Sequence, residues 1–246
     1  MKKEELKNHM DEIIRLTFIR LSDAYKNQEV NNKKFEKVGG RLVFPSYNKK
    51  IEIRKSRLVF PSYYKEKEPT ETRISEQELR FIFVEVFNAY CDQKELDLYY
   101  SVETPTKDTY INFADSKEEP KPANKSDDKK GRSAEFDLVI FDEEGNRRCL
   151  VEFKAKNAGD HDHWKDFVKL NNPNEGGNEV LRYFIEVIKS YNDNTIISLK
   201  GKEKDGKLSK NHTIKASFHC YALEGESKRG DDNQRQGEDI SYKFID

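Results

Sequence analysis

Three charged residues, Asp137, Glu152 and Lys154, lie in two stretches of the sequence that are otherwise apolar. Residues 136–140 and 149–153 carry an apolar side chain at every second position, and a glycine-containing segment separates them. This pattern predicts two β-strands joined by a tight turn. Glu152 and Lys154 are two positions apart, so on a strand they project from the same face. Asp137 lies near the start of the first strand, close to where an antiparallel partner carries them. Charges that converge in an apolar hairpin destabilise it unless they are paired or bound to a metal.

The types of these residues suit the hydrolysis of a phosphodiester. Two carboxylates are hard oxygen ligands that hold Mg²⁺ or Mn²⁺, and such a cation activates water and offsets charge on the phosphate. The ammonium group of Lys154 would orient the attacking water or stabilise the phosphate. The competing interpretation is that Glu152 and Lys154 are ordinary outward-facing charges on a half-exposed strand.

The order of Asp137, a hairpin and then Glu152-Phe153-Lys154 resembles the D…(D/E)xK core of the PD-(D/E)xK nuclease superfamily. Phe136 stands where the family name has proline, and the match directly covers about the middle third of the chain. The resemblance implies an α/β restriction-endonuclease-like fold, in which helices flank a central mixed β-sheet. It also implies Mg²⁺ or Mn²⁺ held by Asp137 and Glu152, catalysis assisted by Lys154, and nucleic acid as substrate, with DNA favoured over RNA. Restriction, phage defence and mobile elements are the contexts typical of such cores.

The same resemblance implies a helix before the first core strand, whose glutamate completes the metal site. Residues 75–91 predict such a helix, because Ser75 and Glu78 form an S-x-x-E capping box and an apolar stripe follows at helical spacing. The stripe consists of Leu79, Ile82, Val86 and Tyr90. Glu85 lies among apolar residues and is the expected catalytic carboxylate and third metal ligand. Glu78 is the alternative, although capping already accounts for it.

Composition sets the outer limits of these expectations. The chain has 246 residues, with 45 Lys and Arg against 46 Asp and Glu, so no overall basic field indicates nucleic acid. A local basic surface stays compatible with that balance. The three cysteines form no CxxC pair and indicate ordinary thiols in a reducing compartment. No stretch resembles a signal peptide or a membrane span, so the sequence predicts a cytoplasmic protein with no membrane partner.

Residues 1–70 are expected to form a helical and β-hairpin extension, and residues 71–246 the nuclease-like core. An amphipathic helix is predicted over residues 3–26. The heptapeptide RLVFPSY at residues 41–47 recurs at residues 57–63. Each copy predicts a short strand stopped by Pro-Ser, which leaves a duplicated strand or a hairpin as the role of the repeat.

The repeat lies in a basic region, residues 33–68. Eleven Lys or Arg face four Glu there, which gives 11 − 4 = +7, and Phe44, Tyr47, Phe60, Tyr63 and Tyr64 are interleaved with them. Such a segment suits contact with a phosphate backbone and stacking on bases. It equally suits a solvated edge hairpin that lysines protect from aggregation.

Later segments predict two short strands at residues 99–103 and 109–113 about Pro105, followed by a surface loop over residues 114–132. A loop containing His161 and His163 precedes a helix at residues 165–170. Because this helix starts beside the strand of Lys154, His161, His163 and Lys165 are candidate contacts of the substrate or its phosphate. The resemblance implies a crossover helix here, with polar residues that face the cleft. Further strands are predicted over residues 183–188, where a helix over 179–191 fits nearly as well, and over residues 213–223. Residues 242–245 suit an edge strand.

Two other functional interpretations stay open. One is a non-catalytic module on the same fold that binds nucleic acid or protein, and the other is a plain α/β protein in which the charged triplet is coincidental. The sequence is compatible with a homodimer or with a partner protein.

Overall fold

The structure is a computed structural model. It describes residues 1–31, 42–46, 49–53, 60, 62–65, 68–72, 74–113, 118, 120–124, 131–156, 160–190, 216–224 and 239–243. The helices are α1 (Lys3–Asn31), α2 (Glu76–Lys94), α3 (Asp160–Asn171) and a 3₁₀ turn (Pro173–Glu175). The strands are β1 (Leu42–Ser46), β2 (Lys49–Ile53), β3 (Ser62–Lys65), β4 (Glu68–Thr72), β5 (Leu98–Ile111), β6 (Lys121–Pro122), β7 (Arg132–Asp142), β8 (Arg147–Ala155), β9 (Leu181–Ser190), β10 (Ser217–Glu224) and β11 (Asp239–Lys243).

The chain divides into two compact units. The N-terminal unit comprises Met1–Asp97, Val187–Ser190 and Tyr221–Asp239, and the sheet unit comprises Leu98–Glu186, Tyr191–Cys220 and Ile240–Asp246. The division at residue 70 that the sequence suggests stays a prediction. In the described part of the chain, no helix is long and apolar enough to cross a membrane.

Helices and an open mixed sheet give the chain the α/β class that the sequence predicts. The sheet has seven strands in the order β11-β10-β9-β8-β7-β5-β6. The predicted central hairpin is confirmed as β7 and β8, an antiparallel pair in which Leu138 lies opposite Val151 and Ile140 opposite Cys149. Its turn needs Gly145, whose φ of 78° lies in the left-handed region that favours glycine.

The N-terminal unit contains both long helices. The apolar stripe predicted for α1 is buried, and α1 contacts α2 through a 3.1 Å hydrogen bond between His9 and the Tyr90 hydroxyl. Helix α2 begins after Ser75, as predicted. The Ser75 hydroxyl donates to the Glu78 carboxylate, whereas its side chain makes no hydrogen bond to the backbone of the first turn.

Several predicted strands differ in extent or pairing. The two strands expected about Pro105 are one long strand, β5, whose pairing with β7 is irregular between Pro105 and Thr109. The segment at 183–188 is a strand, β9, and β11 lies at the sheet edge. In the expected loop at 114–132, β6 pairs with Tyr110 and Ile111.

The two copies of RLVFPSY have different surroundings. The first copy supplies β1, which continues through Pro45 and Ser46 instead of stopping there, and β1 pairs with β2. In the second copy, β3 begins only at Ser62 and pairs with β4, and residues 57–59 lie outside the described part. Each copy therefore starts its own hairpin.

One aromatic residue of the basic region belongs to the core. Phe60 is fully buried, and its ring packs edge-on against Tyr25 at 5.7 Å between centroids. The prediction that the Phe60 ring stacks on a nucleic-acid base is therefore wrong. The other side chains of this region lie outside the described residues.

A buried carboxylate fixes the irregular part of β5 beside the end of α3. One oxygen of Glu175 accepts the backbone N–H of Asp108 at 3.0 Å and the Tyr110 hydroxyl at 3.0 Å. The other accepts the N–H of Lys107 at 2.9 Å and the Arg147 guanidinium at 2.9 Å. These four donors use the acceptor sites of the carboxylate, so the network holds the strand, the hairpin and the 3₁₀ turn together.

Candidate active site

The hairpin brings Asp137 and Glu152 together. Extended by one position, the antiparallel register that pairs Leu138 with Val151 sets Asp137 opposite Glu152. At this end of the hairpin, the Asp137 carboxylate accepts the backbone N–H of Phe153 at 2.7 Å. Glu152 is only 1% exposed, whereas Asp137 is partly exposed. The pair therefore combines a buried carboxylate with a partly exposed one.

Helix α3 supplies the countercharges on the same face. Lys154 Nζ lies 2.7 Å from Oδ2 of Asp166. Lys169 Nζ lies 2.6 Å from Oε1 of Glu152 and 3.0 Å from Oδ1 of Asp166. Asp166 and Lys169 are three positions apart on the helix, so they project from one side of it. The predicted shared face of Glu152 and Lys154 is thereby confirmed.

Burial and neighbouring charges shift the pKa values of Glu152, Asp166 and Lys169. Burial raises the pKa of Glu152 well above its ordinary value, and the neighbouring Asp166 and Asp137 raise it further, against the opposing effect of Lys169. Burial alone would also raise the pKa of Asp166, but Lys169 and Lys154 outweigh it and lower that pKa. For Lys169, burial opposes the charged form, yet Glu152 and Asp166 raise its pKa. Glu152 is therefore the carboxylate that lacks sufficient positive charge.

The donor set fits a divalent cation. Asp137 and Glu152 offer carboxylate oxygens from adjacent strands, which Mg²⁺ and Mn²⁺ prefer. Oε1 of Glu152 is buried and meets Lys169 as an ion pair without hydrogen-bond alignment. Added positive charge here would oppose the effect of burial and of the neighbouring carboxylates, which together raise the pKa of Glu152. Among the described residues, no group of three or more His, Cys, Asp or Glu is already arranged to hold a metal.

Each helix glutamate has a described partner within the N-terminal unit. Glu85 belongs to the N-terminal unit, where its carboxylate accepts from the buried Arg20 guanidinium at 2.8 Å. The Glu78 carboxylate accepts a hydrogen bond from the Ser75 hydroxyl in the same unit. A role for Glu85 as third metal ligand therefore stays a prediction.

The residues around His163 differ from expectation. Helix α3 begins at Asp160, so the DHDH run is helical and does not form a loop. His163 is 3% exposed and packs edge-on against Phe184, with Glu186 at 3.8 Å. This packing against Phe184 does not favour a phosphate contact of His163, which stays a prediction. The side chain of His161 lies outside the described residues, and Lys165 is partly exposed.

Sequence reasoning missed Asp166 and Lys169. Polar residues of this helix were expected at the cleft, but these two were not named, although both lie within the predicted helix 165–170. The sequence does carry a signal for these two residues. The strand that contains Glu152 and Lys154 is followed, after a short connection, by Asp166 and Lys169, whose three-residue spacing places both charges on one helix face.

Comparison of the chain with protein-family models, with curated proteins and with solved structures found no match.

Proposed function

We propose that this chain is a metal-dependent nuclease of the restriction-endonuclease-like type, which hydrolyses phosphodiester bonds of nucleic acid, DNA in preference to RNA. The observation that carries the proposal is the convergence of Asp137, Glu152 and Lys154 at one end of the central hairpin. Outward-facing charges on an ordinary strand would be solvated. Glu152 is instead buried at 1% exposure, an arrangement that opposes folding and is typical of functional sites.

Each residue has a distinct role in this proposal. Asp137 and Glu152 would hold Mg²⁺ or Mn²⁺, which supplies Lewis acidity toward water and the phosphodiester. Lys154 donates a hydrogen bond to the attacking water or to a phosphate oxygen, and so stabilises the negative charge that develops there. Asp166 is a positioning residue, because its carboxylate lies 2.7 Å from the Lys154 ammonium group.

The first test is a cleavage assay on the purified chain. Supercoiled, linear and single-stranded DNA and an RNA would each be incubated with Mg²⁺ or Mn²⁺. We expect cleavage of at least one DNA form by the native chain and a loss of at least about 100-fold in Lys154→Ala, the effect of removing one stabilising donor. Lys107→Ala is the matched control, because its side chain is exposed in the same unit and only its backbone N–H is used.

The outcomes separate the candidate functions. Cleavage that Lys154→Ala and Lys107→Ala retain equally would come from a contaminant and would refute the proposal. Nucleic-acid binding that survives Lys154→Ala, with no cleavage and no metal binding, would replace it by the non-catalytic binding module.

A further inference from the structure

Lys169 has the surroundings of a bound cation. Its Nζ lies 2.6 Å from Glu152 Oε1 and 3.0 Å from Asp166 Oδ1, and it donates at 2.8 Å to the carbonyl oxygen of Glu135. The ammonium group also lies 5.7 Å from the centre of the Phe136 ring. Its side chain is 8% exposed. A compact positive charge among three oxygens in a buried site resembles the arrangement of a small hard cation.

The charge balance explains why a cation is held there. With all groups ionised, Asp137, Glu152 and Asp166 contribute −3, and Lys154 and Lys169 contribute +2, which leaves −1. Lys154 contacts the other oxygen of Asp166, and Lys169 contacts Glu152. Among the contacts of the described residues, Lys169 is therefore the charge partner of Glu152.

We propose that Lys169 is an internal competitor of the divalent cation, which occupies Glu152 in the metal-free protein and which the metal must displace. This inference rests on the proposed function, since it concerns the same two carboxylates. After displacement, Lys169 keeps Asp166 and the Glu135 carbonyl as partners, so the ammonium group is not buried without a partner. The ion pair thus keeps the site folded without metal and sets the metal concentration at which the site fills.

The test measures Mn²⁺ affinity by isothermal titration calorimetry of the full chain, without nucleic acid. Lys169→Met removes the competing charge and keeps the side-chain volume. Because the metal and the ammonium group oppose each other at one carboxylate, we expect the Kd for Mn²⁺ to fall about tenfold, within the usual range of coupling between two bound groups.

Lys154→Met is the matched control. It removes the same charge from the same cluster but leaves the contact with Glu152 intact. We expect it to tighten Mn²⁺ binding clearly less than Lys169→Met does. An equal fall of the Kd for Mn²⁺ in both variants would mean that any positive charge removed from the cluster has the same effect, and it would overturn the inference.

A thermal-shift measurement is included because Lys169→Met is expected to be less stable than the native chain, since two buried carboxylates lose their partner. The rise in Tm on addition of Mn²⁺ should then be larger for Lys169→Met than for the native chain, since the metal replaces a missing charge. Lys169→Arg, which keeps the charge, should bind Mn²⁺ no more tightly than the native chain.

The outcomes distinguish this inference from the proposed function. Native chain that binds Mn²⁺ and cleaves DNA, with Lys169→Met no tighter and no more stabilised, overturns the inference alone. Mn²⁺ binding only by Lys169→Met supports it. Absence of Mn²⁺ binding in every variant overturns both the metal site and the competitor.

Discussion

Removal of the Glu175 carboxylate should be among the most damaging single changes in the sheet unit. Its side chain is 0% exposed and accepts from two backbone N–H groups, a tyrosine hydroxyl and an arginine. Glu175→Ala would leave the N–H groups of Lys107 and Asp108 without this acceptor in a part of β5 that is irregularly paired. Arg147 would lose its ion-pair partner and keep the Pro105 carbonyl at 2.8 Å.

The size of the effect follows from these contacts. A buried donor left unsatisfied costs about 1–3 kcal/mol, and the Tyr110 hydroxyl is such a donor. The two backbone N–H groups are part-buried and together add about 1 kcal/mol. Loss of the ion pair adds about 1 kcal/mol or more, because Arg147 is largely buried and its partner fully so. We expect the free energy of unfolding to fall by about 3–5 kcal/mol, a large fraction of the total stability of a typical domain.

Glu175→Gln separates the hydrogen bonds from the volume of the side chain. A glutamine keeps one acceptor oxygen and turns an NH₂ group toward the other pair of donors. If the oxygen stays with Lys107 and Arg147, the backbone N–H of Asp108 loses its acceptor. We therefore expect a smaller loss of about 1 kcal/mol, because this donor is only part-buried.

Urea denaturation followed by circular dichroism measures these values, with equal m-values as the condition for comparing variants. Glu179→Ala is the control, because Glu179 is exposed four positions away, and it should change stability by no more than about 0.5 kcal/mol. A loss below about 1 kcal/mol in Glu175→Ala would refute the reasoning, since even one orphaned donor exceeds it.

The raised pKa of Glu152 predicts a pH dependence of the metal-free chain. The folded-state pKa of Glu152 lies above the unfolded value, so unfolding releases a proton from this group between the two values. The contribution of Glu152 to stability is therefore complete below about pH 4.3. It is lost as the pH rises toward the folded-state pKa. In urea titrations at several pH values, the free energy of unfolding of Glu152→Gln should decline less steeply with pH than that of the native chain. The same variant should show no calorimetric binding of Mn²⁺. An equal slope of unfolding free energy against pH in both proteins would contradict the assignment of this pH dependence to Glu152. Burial, reinforced by Asp92, raises the pKa of Cys91 to about 12, so alkylation of this thiol by iodoacetamide at neutral pH should be slow in the folded chain and fast in urea. Rapid modification of Cys91 in the absence of urea would show that the thiol is accessible.

Period-two alternation predicted the central hairpin because both strands bury one face and the turn between them contains Gly145 at a positive φ. The face shared by Glu152 and Lys154 followed from strand geometry alone. The helix stripes of α1 and α2 were equally readable, since long amphipathic segments carry their own signal.

Tertiary contacts decided what the sequence did not reveal. Pro105 suggested a turn, but the backbone N–H groups beyond it bond Glu175, some seventy positions later in the chain, and β5 continues. The start of α3 was misplaced because Asp160 and Asp162 suggest a polar loop as well as a first helical turn, where acidic residues are favoured by the helix dipole. The pairing of Lys169 with Glu152 depends on which turn of α3 meets the sheet, and residue spacing does not specify that.

The charged cluster draws all its members from one uninterrupted run of chain, β7 through α3. Its loops are therefore short, and closing them carries little entropic penalty compared with pairing distant strands. In kinetic terms the run has low contact order, which favours rapid assembly during folding. Glu152 and Lys169 thus lie on consecutive elements, so the contact that pairs their charges closes only a short stretch of chain.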